Sequence, residues 1–315
     1  MSAVVVIGSF NVDHVWSLPV LPRAGETLQG EYRTGPGGKG FNQATAAARA
    51  GAVTAFVCAL GADAGGQLAR ALASVDGIVL RDAASTHPTG TAGIYVDREG
   101  RNSIVIGAGA NAAMTPAHVR AQGDVFADAR VVLAQLESPV DAVLAGFDLA
   151  RDEGVPTLLN PAPADADLPA GLLAQCDVLT PNESEFSAQL ARHCGEPVEP
   201  GAVAGMADAE LHRLCRRLLP HGTVVVTLGA RGCLVSHADG MLRGDDAAFY
   251  RVPAVPADAI DTTGAGDAFN GALAAAWATH PAAPFHVHVG FASLYAARAC
   301  ESAGAATAMP HLVDL

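Results

Sequence analysis

The residues with the clearest chemical potential lie in the segment 261–271, Asp-Thr-Thr-Gly-Ala-Gly-Asp-Ala-Phe-Asn-Gly. Apolar residues at Phe269, Leu273 and Trp277 follow helical spacing, which predicts a helix that begins near Gly264. The backbone N–H groups of a first helical turn lack partners within the helix, and together with the helix dipole they favour an anion. The segment therefore predicts an anion-binding site.

Asp267 is the single carboxylate in this first helical turn. A carboxylate beside an anion site can take the proton of a hydroxyl group while the site stabilises an arriving phosphoryl group. A simpler interpretation is that Asp267 only offsets the helix dipole, because acidic residues are common at helix N-termini. The segment alone leaves both interpretations open.

Lysine occurs once among the 19 basic residues of the chain, as Lys39 in Gly37-Gly-Lys-Gly40. An ammonium is a compact point charge, so a site fitted to it need not accept the planar guanidinium of arginine. Residues 35–40 also match the dinucleotide-binding pattern G-x-G-x-x-G, but no buried apolar strand precedes them. The segment lacks the Ser or Thr that follows Lys in a P-loop. We interpret it as a loop that presents Lys39 and Asn42 to a polar ligand.

Apolar runs that end at polar or glycine residues recur along the chain. The run 3–7 leads to Asn11 and Asp13, and the run 131–136 leads to Glu137. Further strands are predicted at 53–60, 156–159, 177–180 and 223–228. Such runs are typical of parallel strands buried on both faces, whose ligands bind beyond the carboxyl ends of the strands. They predict an α/β fold, a doubly wound and mostly parallel sheet flanked by helices.

Four other segments have the pattern of strands with one exposed face: 12–18, 26–34, 89–96 and 103–106. The last two flank a turn that ends at Gly100. We predict that these four strands form a small β-sheet lid. Residues 1–315 are predicted to form a single domain, in which 192–209, rich in Gly, Pro and Ala, make a surface excursion.

The composition limits the classes of function. Half of the 315 residues are hydrophobic and 16% are charged, which is typical of a folded globular chain. The formal net charge of −13 disfavours a nucleic-acid or membrane partner. No signal peptide or membrane span is visible in the sequence, so we expect a cytoplasmic protein. The cysteines are scattered, and the His286–His288 pair has no further ligand nearby, so neither a disulfide framework nor a zinc site is predicted.

Eight motifs, in order and over nearly the whole chain, resemble the ribokinase-like (pfkB) carbohydrate kinase family. They are Ile7-Gly-Ser-Phe-Asn-Val-Asp-His14, Gly37-Gly-Lys-Gly-Phe-Asn-Gln-Ala44, Gly107-Ala-Gly-Ala-Asn111, Gln135-Leu-Glu-Ser-Pro139, Leu159-Asn-Pro-Ala-Pro163, Thr180-Pro-Asn-Glu-Ser-Glu185, Thr227-Leu-Gly-Ala-Arg-Gly232 and Asp261-Thr-Thr-Gly-Ala-Gly-Asp267. The resemblance implies a doubly wound α/β sheet with a β lid. It also implies transfer of the ATP γ-phosphate to a primary hydroxyl of a sugar.

The resemblance further implies roles for individual residues. Asp267 would be the general base, beside an anion hole formed by Gly264, Ala265 and Gly266. The sugar would be bound by Asn11, Asp13, Gly38, Lys39, Asn42 and Glu137, with Ala92 and Ile106 of the lid closing over it. These roles fit the chemistry, because phosphoryl transfer needs positioning, charge neutralisation and a modest base.

ATP, Mg²⁺ and a monovalent cation, typically K⁺, are the cofactors that the resemblance implies. Asn182 and Glu185 match an N-x-x-E element that organises the Mg²⁺ shell and the phosphates. The nucleotide site would include Thr227, Gly229 and Gly232, with Ser293 near adenine. The cation would be held by main-chain carbonyls of Asp261 and Thr263 and by the turn around Ser302, Gly304 and Ala308.

Within the family, Asn11 and Asp13, the Gly-Gly-Lys-Gly segment and Glu137 most resemble kinases that phosphorylate the 5-hydroxyl of D-ribose. The alternatives are 2-deoxyribose, fructose or a nucleoside, because Phe41 occupies a position that is usually small. Two other classes remain open: a dinucleotide-dependent oxidoreductase that uses residues 35–40, and a sugar-binding protein without turnover. Exposed lid strands also predict a homodimer formed through the lid.

Overall fold

The computed structural model describes residues 3–315, and its strands form two sheets. The strands are β1 (Val4–Ile7), β2 (Asn11–Ser17), β3 (Glu31–Gly37), β4 (Thr54–Gly61), β5 (Val79–Ser85), β6 (Gly90–Val96), β7 (Asn102–Gly107), β8 (Val131–Ala134), β9 (Thr157–Leu159), β10 (Val178–Leu179), β11 (Thr223–Thr227), β12 (Cys233–Ser236) and β13 (Phe249–Val252). Nine of them form the main sheet, in the order β13-β12-β11-β10-β9-β8-β1-β4-β5. The other four form a second sheet in the order β3-β2-β6-β7, which we call the lid sheet.

The main sheet is parallel from β5 to β11, with β12 and β13 added as antiparallel strands at one edge. Strand β1 pairs with β4 on one side and β8 on the other, and its four residues are fully buried. Burial on both faces explains why these strands are continuous apolar runs. Because the strands run in the same direction, their carboxyl ends meet at one edge of the sheet.

Helices cover both faces of the main sheet. They are α1 (Lys39–Arg49), α2 (Ala64–Val75), α3 (Pro116–Arg120), α4 (Gly123–Ala127), α5 (Val140–Asp152), α6 (Ala170–Leu173), α7 (Glu183–Cys194), α8 (Pro200–Val203), α9 (Asp208–Leu218), α10 (Ala265–Thr279) and α11 (Phe285–Ala299). Val5 and Ile7 of β1 pack in the core under α5, α7 and α9, whereas Val4 and Val6 pack under α1, α10 and α11. The predicted fold class is thereby confirmed. Within residues 3–315, no helix has both the length and the apolar composition that crossing a bilayer requires.

In the lid sheet, β2 pairs with β3 and β6, and β6 pairs with β7. The register places Asp13 opposite Ala92, and Ala92 opposite Ile106, so these three side chains share one face. The strand predicted at 26–34 is wrong in its first part. Strand β3 begins only at Glu31 because β2 ends at Ser17, which leaves residues 26–30 without a partner strand.

Several elements differ from the patterns read in the sequence. Strand β5 was not expected, because Arg81 and Asp82 interrupt its apolar character, which an edge position tolerates. The antiparallel strands β12 and β13 were also not expected. Residues 192–209 are not wholly superficial, because they include α8, whose Val203 is fully buried.

Helices α1 and α10 lie on the same face of the sheet and pack closely at Gly271. A Cβ atom added to Gly271 would lie 2.4 Å from the Gln43 carbonyl oxygen and 2.5 Å from the Ala46 Cβ. Helix α1 carries Asn42 and α10 carries Asp267. The missing side chain at residue 271 therefore determines how closely these two polar residues approach.

Replacing Gly271 with alanine should force the two helices apart and lower the free energy of unfolding by about 1–3 kcal/mol, as overpacked cores do. Thermal unfolding measures this change. Gly290→Ala on α11 is the matched control, because a Cβ there meets nothing within 4 Å. This control should be neutral or gain up to about 1 kcal/mol from better helix propensity. Equal melting temperatures for the two variants would contradict the role assigned to Gly271.

Candidate active site

A cleft of about 160 Å³ opens at the carboxyl edge of the main sheet, beside the N-terminus of α10. Helix α1, the segments after β9 and β10, the end of β11 and the start of α10 form its walls. The lining residues are Lys39, Asn160, Thr180, Asn182, Glu185, Thr227, Thr262, Gly264, Ala265, Gly266, Asp267 and Asn270. Most of the predicted base, anion-hole and nucleotide residues are thus brought together in one cleft.

Asp267 lies in the first turn of α10 and is 6% exposed. Its two carboxylate oxygens accept hydrogen bonds from separate amides of α1, Asn42 Nδ2 at 2.8 Å and Gln43 Nε2 at 2.9 Å. Burial raises the pKa of Asp267 above its ordinary value, although Lys39 and the two amides oppose the rise. A fixed carboxylate with a raised proton affinity suits the work of a general base.

Lys39 is the first residue of α1 and faces three carboxylates. Burial alone would lower the pKa of Lys39, but Asp267, Glu137 and Glu185 outweigh burial and raise it. The ammonium is therefore charged at neutral pH. Glu137 Oε2 accepts hydrogen bonds from Ser9 Oγ at 2.6 Å and from the Lys39 backbone N–H at 2.9 Å. Glu137 thus ties the segment after β1 to the start of α1.

Besides Lys39 and Asn42 on α1 and Glu137 after β8, the predicted sugar residues come from the lid sheet and the Gly-rich turn before α1. Asn11 is buried, and its Oδ1 accepts a hydrogen bond from Asn111 Nδ2 at 2.9 Å. Gly38 has a φ of 87° and lies so close to β2 that a Cβ would be 2.8 Å from the Asn11 backbone nitrogen. A Cβ on Gly37 would lie 2.2 Å from Asp13 Oδ2. These glycines let the turn pass directly beside the polar end of β2.

Asp13 on β2 is a lid residue whose carboxyl group has a raised pKa. Burial raises the pKa of Asp13 to about 6, with further increases from the charges of Glu137 and Asp267 and a small opposing effect of Arg33. Ala92 and Ile106 share the face of Asp13. The lid sheet therefore places one carboxylate and two apolar side chains on the side that carries Asn11.

Asn182 and Glu185 form a capping box at the start of α7. Asn182 Oδ1 accepts from the Glu185 backbone N–H at 2.9 Å, and Glu185 Oε2 accepts from the Asn182 backbone N–H at 2.9 Å. Burial raises the pKa of Glu185. Both residues also line the cleft, together with Thr227, the last residue of β11. The structural role as a helix cap therefore coexists with a position where a nucleotide or metal could bind.

Three residues predicted for the nucleotide lie outside the lining of this cleft. Gly229 and Gly232 occupy the turn after β11, at φ angles of 54° and 81°. Ser293 lies on α11, where its Oγ donates to the Val289 carbonyl at 2.9 Å. Their assignment to the nucleotide stays a prediction.

The two segments predicted to hold a monovalent cation lie side by side. Asp261 Oδ2 accepts from the Gly304 backbone N–H at 3.0 Å, and Asp261 Oδ1 accepts from the Thr263 backbone N–H at 2.9 Å. The Asp261 backbone N–H donates to the Cys300 carbonyl at 3.1 Å. Ser302 and Ala308 lie in the same loop. The Asp261 carboxylate therefore joins the two segments, whose backbone carbonyls are the oxygens predicted to bind the cation.

Several polar site residues were not identified from the sequence. Asn160, Thr180 and Asn270 line the cleft, and Gln43 contacts Asp267 from behind it. Thr180 Oγ1 donates to Asn270 Oδ1, whose amide in turn donates to the Gly266 carbonyl at 2.8 Å. Gln43, Asn160 and Thr180 lie inside the motifs that carry the family resemblance, whereas Asn270 does not. Position within a family motif is the sequence signal that could have identified these three residues.

Phe41 lies in the hydrophobic core and does not line the cleft. Its ring is 5.0 Å from that of Phe10, edge to face, and 5.9 Å from that of Phe56. It is 1% exposed. The large side chain that follows Lys39 and Gly40 therefore gives no reason to exclude a small sugar as the acceptor.

Comparison with known proteins places these features in one family. Residues 1–312 match the family described as pfkB family carbohydrate kinase. The ribokinase of Mus musculus is 36% identical over 322 residues, which cover 100% of this chain and 94% of that protein. A bifunctional ribokinase/ribose-5-phosphate isomerase A of Fructilactobacillus sanfranciscensis is 39% identical over 278 residues, which cover 87% of this chain but 48% of that protein. Among solved structures, Arabidopsis thaliana ribokinase complexed with ribose and ATP has a TM-score of 0.82 at 31% identity, covering 99% of this chain and 96% of that one.

The raised pKa of Asp13 leads to a prediction about stability. An acid whose pKa rises on folding, here to about 6, stabilises the fold when protonated, and this stability is lost as the pH rises through that value. Asp13→Asn cannot ionise, so it should be more stable than the wild type at pH 8, by on the order of 1–3 kcal/mol. This advantage should fall to roughly half at pH 5.

Thermal unfolding at both pH values tests the Asp13 prediction. Asp165→Asn is the control, because Asp165 is exposed and its substitution should change stability little at either pH. If Asp13→Asn had the same effect at pH 8 and pH 5, Asp13 would not have the raised pKa described above.

Proposed function

The chain belongs to the pfkB family of carbohydrate kinases, and from this we propose that it transfers the γ-phosphoryl group of ATP to the 5-hydroxyl of D-ribose. The observation that carries the proposal is the buried Asp267 carboxylate at the N-terminus of α10, held by two amides of α1. The relatives named ribokinase, and the related structure with ribose and ATP, support this choice of acceptor and donor.

Asp267 takes the proton of the acceptor hydroxyl while the hydroxyl oxygen attacks the γ-phosphorus. A bond forms between the sugar oxygen and phosphorus, and the bond from phosphorus to the β–γ bridging oxygen breaks, so ADP leaves with that electron pair. The N-terminus of α10, formed by Gly264, Ala265 and Gly266, stabilises the negative charge of the transferring group. The charged Lys39 adds to this stabilisation from α1.

The sugar binds between the lid sheet and α1. The carboxylates of Asp13 and Glu137 accept hydrogen bonds from sugar hydroxyls, and the amides of Asn11 and Asn42 can both donate and accept. Gly38 lets the turn before α1 pack against the backbone at Asn11, which brings Lys39 and Asn42 of α1 beside the polar end of β2. Ala92 and Ile106 cover the sugar with apolar surface and exclude water, which limits hydrolysis of ATP.

The nucleotide binds on the other side of Asp267, along Thr227 and the turn that contains Gly229 and Gly232, with Ser293 near adenine. Asn182 and Glu185 are suited to bind Mg²⁺ indirectly, through its bound waters. Both Glu185 carboxylate oxygens already accept hydrogen bonds from Asn182, so neither is free of protein partners. Their remaining lone pairs can accept from waters of the ion, which keeps much of its hydration shell in proteins. Mg²⁺ supplies neutralisation of the phosphate charge.

A monovalent cation, K⁺, fits the joined segments that contain Asp261 and Gly304. Their backbone carbonyls are neutral oxygen ligands, which suit a large ion of low charge. Thr263 directly precedes the N-terminal turn of α10. A bound cation would therefore add positive charge close to the anion hole.

The first test is ADP formation from Mg-ATP with D-ribose, 2-deoxyribose, fructose and adenosine, each in K⁺ and in Na⁺. We expect the highest kcat/KM with D-ribose and faster turnover in K⁺. Preference for another acceptor would reject ribose but keep the kinase chemistry. Binding of NAD(H) without turnover of any sugar would reject the kinase assignment.

Asp267→Asn completes this test. We expect kcat to fall by about 10²–10⁴-fold or more, the range for losing a general base, with little change in sugar affinity. Asp165→Asn, on the surface, should keep full activity. Retention of normal turnover by Asp267→Asn would remove Asp267 from the mechanism.

We also propose a homodimer formed through the lid sheet. The edge strand β7 exposes three consecutive apolar residues, Ile104 (51%), Val105 (64%) and Ile106 (51%). An exposed apolar edge strand is a typical interaction surface. Val105→Asp should shift a dimer to monomer in light scattering after size-exclusion chromatography, whereas Val313→Asp, at an exposed valine near the chain's end, should not. A monomeric wild type would reject the proposal.

A further inference from the structure

Gln43 is the second amide that holds Asp267, and it has no exposed surface. Its Nε2 donates to Asp267 Oδ1 at 2.9 Å and to Asn160 Oδ1 at 3.1 Å. Its Oε1 accepts a hydrogen bond from Gln135 Nε2 at 2.5 Å. Both N–H groups and the carbonyl of this side chain therefore have partners, and all of the partners are protein groups.

The charge of Asp267 determines the direction of these hydrogen bonds. An ionised carboxylate only accepts, so Gln43 must present its NH₂ group to Asp267 and its carbonyl to Gln135. Gln135 must then present its own NH₂ group to Gln43. Reversal of either amide would bring two oxygens together in the interior. The two amides therefore line up as donors toward Asp267, and hydrogen bonds in such a chain strengthen one another.

Two supports hold Gln43 in this orientation. Gln135 follows β8 and is confined by Gly8, where a Cβ would lie 2.3 Å from Gln135 Oε1. Asn160 follows β9, and its Nδ2 donates to the Thr180 carbonyl at 3.2 Å, which leaves Asn160 Oδ1 to accept from Gln43. Gln43 is thus braced by residues at the ends of two neighbouring strands of the main sheet.

We propose that Gln43 is a positioning residue for phosphoryl transfer, which, supported by Gln135 and Asn160, fixes the orientation of the Asp267 carboxylate and keeps it ionised. The inference rests on the proposed role of Asp267 as the base. Gln43 cannot touch a substrate, because it is fully buried and lies behind the cleft. Asn42, the other partner of Asp267, is predicted to bind the sugar as well. Of the two amides that hold Asp267, Gln43 is therefore the one without a predicted contact to the sugar.

The surrounding charges do not by themselves keep Asp267 ionised. Asp267 interacts electrostatically with four charged groups: Lys39 on α1, Glu137 after β8, Asp13 on β2 and Glu185 on α7. Burial is the largest cause of the raised pKa of Asp267, and only one of the four charged groups, the Lys39 ammonium, favours the ionised carboxylate. The amides of Asn42 and Gln43 oppose protonation without adding a further charge to the interior.

Gln43→Met tests the proposal, because methionine keeps the length of the side chain but has neither the NH₂ group nor the carbonyl. Loss of a hydrogen bond to a charged group should move the acid limb of the kcat–pH profile upward by about 1 pH unit. We expect kcat at pH 7 to fall roughly tenfold or more, with KM for ribose and ATP within about twofold of the wild type. A purely structural role would lower the melting temperature and leave the acid limb in place.

Two further variants make the test decisive. Gln189→Met is the control. Gln189 is also a fully buried glutamine, but it lies on α7, where it accepts a hydrogen bond from Arg192 and has no hydrogen bond to Asp267. This control should lose stability without a shift of the acid limb. Gln135→Met removes only the donor behind Gln43, so a smaller shift in the same direction is expected. If Gln43→Met does not fold, Gln135→Met decides, and an unmoved acid limb would overturn the proposal.

Failure of the proposed function can be told apart from failure of this inference. If the wild type phosphorylates no sugar, the melting temperature of the free protein still measures the hydrogen bond between Gln43 and Asp267. The melting temperature lost by Gln43→Met should then be larger at pH 8 than at pH 5, because Gln43 stabilises the ionised carboxylate. The loss caused by Gln189→Met should be the same at both pH values. Equal losses for Gln43→Met at both pH values would overturn the inference.

Discussion

The distance between α1 and α10 is the constraint on which the site depends. The amides of Asn42 and Gln43 lie on one helix and the carboxylate of Asp267 on the other, and hydrogen bonds of 2.8 and 2.9 Å must join them. This is possible only because Gly271 lets the backbone of α10 meet the Gln43 carbonyl. Both helices pack on the face of the sheet that includes Val4 and Val6 of β1. The hydrophobic core thereby sets the geometry of a polar contact.

Charge in the cleft is arranged for chemistry at some cost to stability. Asp13, Glu185 and Asp267 all have raised pKa values, with burial as the largest cause, and the charge of Asp267 adds to the rise at Asp13 and Glu185. The single ammonium of Lys39 opposes the rise at Glu185 and Asp267. Folding is less favourable when such acids are ionised, so each of them destabilises the protein at neutral pH. Perturbed acids that cluster in a cleft are typical of functional sites. The large apolar core on both faces of the main sheet offsets this cost.

Local patterns were sufficient to predict the fold class and to single out Asp267 and Lys39 as candidate site residues. Strands such as β1, β4 and β8 are apolar on both faces, and Asp267 and Lys39 stand out by type and position. Edge strands such as β5 were missed because exposure removes the apolar signal. Gln43 was missed for a different reason. Its role depends on contacts with Asn160 and Asp267, 117 and 224 residues away, and a single sequence does not reveal such pairs.

The lid sheet is built separately from the helices that carry Asp267 and its two amide partners. Its strands pair with one another and not with the main sheet, and they carry Asp13, Ala92 and Ile106. Asp267, the proposed base, and the amides of Asn42 and Gln43 belong to two helices that pack on the main sheet. If the sugar binds against the lid as proposed, substitutions there can alter the acceptor without moving Asp267. This division makes the fold evolvable, since new substrate specificities can arise in one module while another preserves the reaction.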